Sequence, residues 1–413
     1  MSVDIPVLSF IAVMLAIAWV TSVAMLCLTF MRSLAACWRE PVLKHPVLVI
    51  ESDDWGPGPS HHAQALESVR KVLEQHCDAS GQPAVMTLGL TLSVPDFEVM
   101  AKGTGEYQAL YLDHQRFAPI LDAIQAGSRA KVFALQLHGA AHYWPPALVQ
   151  AAQFDSKVKT WLTTEAALET EKLPTYLQAR WVDASSLPSR PLDPGLIWAA
   201  AKEEVNLFER IFGIKPEVAV PPTFVWNELV EDAWAMSGVR CVITPGQRYH
   251  HRDHAGAPSG HGVSIFNGQQ GKNGLIYLVR DRYFEPSKGH KAETALADLK
   301  QKAIEGRPLL LETHRFNFTD EGAQAAIAEL DRLLGLVLLA TPRLRFIASA
   351  DLAREYQTQG GLVEPGFFIR LSTWITRLHA LPRFWKLARL SGLAAVLTAI
   401  GWLLPATPIT GGE

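Results

Sequence analysis

Near-continuous apolar runs recur through the middle of the chain, at 46–52 (PVLVIES), 84–90, 132–138, 217–221, 239–244, 275–279, 308–313 and 344–348. Such runs, rather than strict alternation, mark strands covered on both faces. Between them lie helical periodicities, clearest at 60–76, 115–127, 195–212, 226–237, 289–305 and 320–339. Strand alternating with helix predicts a parallel sheet. The chain is therefore expected to be α/β, with a distorted (β/α) barrel of seven to eight parallel strands over 45–360. An open doubly wound sheet is the competing layout, but no GxGxxG follows the first run. Segments 178–194 and 246–274 read as loops. The second carries His250, His251, His254 and His261, and its composition suits a solvated loop better than a second metal site.

The pattern changes at both ends. From Ile5 to Met31 there is no Asp, Glu, Lys or Arg, which predicts a transmembrane helix within 1–35. A cleaved signal peptide is the competitor, but the residues before the run hold Asp4 and no base, and the run is long for an h-region. At the other end, 366–413 opens with Arg370, Arg377, Arg383, Lys386 and Arg389 interleaved with Trp374, Phe384 and Trp385. That mixture predicts an interfacial helix in contact with membrane lipid. The uncharged run from Leu390 to Gly412 predicts a second membrane segment. Both basic clusters, including Arg32, Arg39 and Lys44 after the first run, lie on the side of the central domain. The positive-inside rule then places that domain on the cytoplasmic side of a bacterial-type inner membrane, with the periplasmic or extracellular side as the alternative.

Composition narrows the picture further. Hydrophobic residues make up 48% and charged residues 19%, which suits membrane contact. A net charge of −3 gives no ground for a nucleic-acid partner. Cys27, Cys37, Cys77 and Cys241 are far apart and form no CxxC, which argues against a thiolate metal cage and a disulfide framework.

Candidate chemistry collects at the C-terminal ends of the predicted strands, where barrel enzymes keep their active sites. The first run ends on Glu51, Asp53 and Asp54. Carboxylates this close repel unless a positive group or a shared proton compensates them. Another run ends on His138, with His142 four residues on; a helical turn would aim both imidazoles at one point. The run at 308–313 is followed by His314. Two imidazoles and one carboxylate make a three-ligand cation site with positions open to water and substrate. One Asp would bind the cation and the other would stay free as a base. Trp55 and Trp144, each beside a proposed ligand, are candidate walls for a sugar ring. A carboxylate pair involving Glu51 or Glu312 would instead suit a metal-free glycosidase.

The stretches "SDDWG", "HGAAH", "PPTF" and "ETH" together resemble the motifs of the NodB-type polysaccharide deacetylases, within the glycoside hydrolase/deacetylase superfamily. The resemblance implies that Asp53 is the base and that Asp54, His138 and His142 hold a divalent metal, with Zn2+ the default. It implies that His314 is the general acid and that the Thr223 backbone N–H helps bind the oxyanion. Val220 stands where the family has an Arg that orients the base, and Glu312 where it has a Leu; Arg280 and Asp281 lie near the place of its fourth-motif Asp. The activity implied is metal-dependent deacetylation of an N-acylated sugar, in a polysaccharide or lipid-linked glycan at the membrane. Two other readings stay open: a metal-free glycosidase of the same superfamily, and a non-catalytic glycan-binding or assembly protein.

Overall fold

The computed structural model describes residues 5–103, 106–260 and 262–405. His261 and the 406–413 end of the expected second membrane segment therefore lie outside the described residues. The main sheet holds β1 (Val47–Trp55), β2 (Met86–Leu90), β3 (Phe133–Leu137), β4 (Val218–Ala219) and β5 (Cys241–Thr244). It continues with β6 (Ile276–Val279), β7 (Arg282–Tyr283), β8 (Leu309–His314) and β9 (Arg345–Phe346). Their spatial order is β6-β5-β4-β3-β2-β1-β8-β7, with every pair parallel. This is the sequential order of a barrel, curled but open at one seam between β6 and β7. Only Arg280 and Asp281 separate those two edges along the chain.

The apolar runs locate β1 to β6 and β8. β7 has no apolar run behind it, because it is two residues long and begins on Arg282. The run at 344–348 is β9, which pairs only with Val47 and Leu48 at the start of β1 and does not complete the circuit. Helices at His61–Gln75, Ala118–Arg129, Pro194–Phe212, Glu228–Ser237, Ala292–Ile304 and Ala323–Ala340 follow the expected periodicities closely.

Strand parity sets what the barrel holds. Leu48 and Ile50 pack outward with the helices, while Val47 and Val49 pack with Val218, Ile243, Leu278 and Leu310. Leu352 and Tyr356 of the helix Ser349–Thr358 close that second cluster. Continuing the same parity carries Glu51 and Asp53 to the inner face at the C-terminal end of β1. Glu312 and His314 continue it on β8, beside Glu51 and Asp53 in register. The interior is thus apolar at one end and ionisable at the other.

At the N-terminus, Ile5–Thr29 is one helix, and Ser9–Thr29 is long and apolar enough to cross a membrane. At the C-terminus the apolar run takes a bent form. The described part of the second apolar run is the 11-residue helix Leu393–Leu403, bent by 102° from Pro382–Leu390. At about 1.5 Å per residue it covers roughly half of a bilayer core, so it is not a straight span. Gly392, with φ of +76°, makes the break. These helices pack on the N-terminal one: Trp19 Nε1 donates to Ser391 O at 2.7 Å, and Leu26 joins a cluster with Phe384, Trp385 and Leu397.

Arg377 joins this assembly to the barrel. It is fully buried and donates to the carbonyls of Cys37, Glu40, Pro41, Glu305 and Gly306 at 2.8–3.2 Å. Removing it strands those carbonyls and weakens the compensation of buried Glu40. Arg377→Ala is expected to cost about 3–5 kcal/mol. The check is denaturant unfolding together with proteolysis near Gly366, which should become fast in the variant while the barrel core stays protected from hydrogen exchange.

Candidate active site

Asp53 and Asp54 are consecutive, and in a regular strand they would point to opposite faces. Asp54 instead has φ of +70°, and the β1–β2 register shifts between Ser52 and Trp55. This break in the pleat lets both carboxylates line one cavity of about 280 Å³ at the C-terminal end of the barrel. Gly89 on β2 leaves room for the first of them, since a Cβ there would lie 2.2 Å from Asp53 Oδ1.

His138 follows β3, and His142 reaches the same point by a route other than the helical turn expected. Residues 138–142 are a loop, and Gly139, at φ of +103°, bends it so that the two rings meet. The Nε2 atoms are 3.1 Å apart, and Asp54 Oδ1 is 3.3 Å from each. Ligand atoms on a tetrahedral zinc at about 2.0–2.1 Å lie roughly 3.3 Å from one another, so this triangle has the size of one tetrahedral face. His138 Nδ1 is 2.9 Å from Val220 O; donating there leaves the Nε2 lone pair facing the triangle. Burial drives the His142 imidazole down to about 4, which keeps it neutral at pH 7. Asp54 Oδ1 is buried and makes no hydrogen bond. An orphaned carboxylate oxygen facing two imidazole nitrogens is what a divalent cation would satisfy, so the residues fit the implied metal.

The positive group that compensates Glu51 and Asp53 is Arg280, in the seam between β6 and β7. Its Nη2 is 2.6 Å from Asp53 Oδ2, its Nη1 3.1 Å from Glu51 Oε2, and its Nε 3.0 Å from Glu312 Oε2. The guanidinium lies 5.3 Å from the ring centre of Phe224. Burial pushes the Glu51 and Glu312 carboxyls up. Burial also opposes ionisation of Asp53, but Arg280 and His138 outweigh it and hold that carboxyl below its usual range. Of the three carboxylates around Arg280, Asp53 is the one whose ionisation is favoured over its usual range. Glu51 is fully buried and also accepts from Ser349 Oγ, so it lies beneath the cavity and out of reach of a substrate.

The two departures from the resembled motifs meet on this arginine. Val220 is fully buried and contributes its carbonyl to His138, while Arg280 brings the guanidinium to Asp53 from another strand end, and Glu312 pairs with it.

His314, across from Asp53, places Nδ1 2.7 Å from Glu285 Oε1, and Glu285 is in turn 2.7 Å from Lys288. Burial works against the imidazolium, but Glu285, Asp54 and Asp53 outweigh it and raise His314 to about 9. Thr223 and Phe224, with φ of +52° and +57°, turn the chain into the cavity wall. The Thr223 hydroxyl donates to Gln178 O at 2.6 Å and accepts from Arg252 Nη2 at 2.8 Å.

Two expected sugar walls lie elsewhere. Trp55 is fully buried, donates to Ser52 Oγ at 2.8 Å and packs in the cluster under the helices, because the same backbone break that brings Asp54 to the cavity turns the indole away from it. Trp144 lines a neighbouring groove rather than the carboxylate–imidazole cavity. Sequence reasoning reached Arg280 only as a neighbour of a missing motif and gave Glu285 no role. The signal for Arg280 was a charge directly after the apolar run of β6, the same kind of position that flagged His138.

No family model matches the chain, and no curated protein matches it. Similar solved structures include a Mycobacterium smegmatis protein assigned as a polysaccharide deacetylase, 13% identical over 78% of this chain and 94% of that one, with a TM-score of 0.41. Others are the Bacillus subtilis peptidoglycan deacetylase PdaC (11%, 76% and 93%, 0.36) and the 4-alpha-glucanotransferase of Thermococcus litoralis (8%, 84% and 47%, 0.40). Likeness at this level says nothing of activity.

The His314 dyad predicts a measurable titration. In metal-free protein, nuclear magnetic resonance should find the imidazole titrating near 9, falling toward 6.5 in Glu285→Gln. The folded state holds this proton more tightly than the unfolded chain. Its stabilisation is therefore complete below about 6.5 and is lost as pH rises through about 9.

Proposed function

We propose that the chain is a metal-dependent hydrolase that removes the acyl group from an N-acylated sugar in a polysaccharide or lipid-linked glycan. The observation that carries this reading is one cavity holding an Asp-His-His triangle beside a separate carboxylate and a separate imidazole. Asp54, His138 and His142 would hold the cation, with zinc the default for this donor set. When bound, such a cation supplies Lewis acidity toward the acyl carbonyl and the attacking water.

Asp53, kept ionised by Arg280, accepts the proton of the attacking water. Its fixed pairing means that its lone pairs need not be reorganised during the reaction. Thr223, at a positive-φ turn in the cavity wall, would give its backbone N–H to the developing oxyanion. His314, positively charged at neutral pH and oriented by Glu285, gives its proton to the departing amine. Acid and base thus belong to two groups whose surroundings drive their protonation apart.

The apolar N-terminal helix and the basic, aromatic C-terminal helices support a setting at a membrane surface. By the distribution of Arg and Lys, the barrel lies on the cytoplasmic side, where a lipid-linked glycan is the accessible substrate.

The test is acetate release from N-acetylated oligosaccharides by the full chain loaded with zinc. Asp53→Asn and His314→Ala should each lower kcat by about 10²–10⁴-fold without loss of bound metal. Cleavage of the sugar chain in place of acyl release, or full activity in Asp53→Asn, would overturn the proposal.

A further inference from the structure

A second concavity, a groove of about 450 Å³, lies on the other side of the loop that carries the two histidines. Ala140 and Ala141 line this groove, while His138 and His142 line the first cavity, so the loop is the wall between them. Trp144, Tyr107 and Tyr111 give the groove aromatic surface, and Ala199 lies on its helical side, on Pro194–Phe212.

Arg180 lines the groove although it is only 4% exposed. Its Nε lies 3.3 Å from Glu204 Oε2, and among the described residues this is the one hydrogen bond its guanidinium makes. Both Nη groups are left without an acceptor. Its two Nη groups thus keep their donors open to the groove while the rest of the side chain is buried and fixed. Glu204 sits behind, fully buried, and also accepts from Trp234 Nε1 at 2.7 Å and Ala140 N at 3.1 Å. The pair therefore turns its positive end toward the groove. The guanidinium carbon lies 5.8 Å from the ring centre of Trp144, which sets an aromatic face beside the free donors. Glu203, the acidic group at the lip, is exposed, so its repulsion of an anion subtracts from the attraction of the buried guanidinium without cancelling it.

Two adjacent N–H groups on a planar fork match the oxygens of a carboxylate or a phosphate. An indole face beside them suits the apolar face of a sugar ring. We propose that this groove is a binding site for an anionic sugar, with its carboxylate or phosphate on Arg180 and its ring against Trp144. None of these residues belongs to the Asp-His-His triangle, so the site stands whether or not the hydrolase reading does.

The test uses the full chain in detergent and saturation-transfer nuclear magnetic resonance with three probes: glucuronate, glucose 6-phosphate and glucose. Arg180→Met removes the donors but also strands Glu204. Ala199→Glu leaves the buried pair intact and adds a like charge to an exposed helical wall. At least one anionic sugar should bind while glucose does not, and Ala199→Glu should weaken that binding about tenfold through like-charge repulsion. Whether glucuronate or the phosphate gives the signal identifies the anion. The same binding should persist in Asp54→Ala, which separates this site from the metal reading. Equal signals from glucose and the anions, no signal from either anion, or unchanged binding in Ala199→Glu would overturn the proposal.

Discussion

A single buried guanidinium governs the ionisable end of this barrel. Arg280 touches Glu51, Asp53 and Glu312 and is itself almost wholly buried. Without it, strands β1 and β8 could not end side by side on carboxylates, since their repulsion in a dry interior would exceed what their pairing supplies. It stands in the seam between β6 and β7, where the hydrogen-bonded circuit is open. The gap in the sheet is therefore the place from which a long side chain can reach across the interior. With Arg280 in place, the strands can keep their parity to the rim, and Asp53 stays ionised beside Asp54.

The second constraint is local. Two successive residues of one strand serve one cavity only because the backbone at Asp54 leaves the extended region. The same break buries Trp55, so the tryptophan next to the carboxylates is a packing residue. Gly139 does the equivalent for the histidines, and Thr223 with Phe224 for the opposite wall. Backbone conformations that side chains ordinarily avoid thus gather around the cavity, as they do where a geometry is held for chemistry.

Much of this was legible in the sequence, and the rest failed for physical reasons. The apolar runs and helical periods located most of the barrel, because burial on both faces leaves a strong signal. β7 escaped because two residues carry no period. Strand ends flagged Asp53, Asp54, His138 and His314, since a polar residue after an apolar run is visible in one dimension. Arg280 obeyed the same rule, yet its partners come from β1 and β8, and no spacing along the chain announces that meeting. His138-x3-His142 suggested a helical turn, but Gly139 bends the segment into a loop with the same result for the rings. Trp144 beside a ligand suggested the same cavity, but the loop between them turns it into the next one. At the C-terminus, hydropathy alone could not reveal the turn at Gly392 that breaks an apolar run into a bent pair.

The central claim is that Asp54, His138 and His142 form a metal site beside an ionised Asp53. Metal content tests it most directly. The full chain, purified without chelator beside Asp54→Ala and His138→Ala and quantified by plasma mass spectrometry, should carry about one divalent ion per chain, lost in both variants while their unfolding transitions stay cooperative. Absence of bound metal, even after reconstitution with zinc, cobalt or nickel, would contradict the account, and so would full occupancy in either variant.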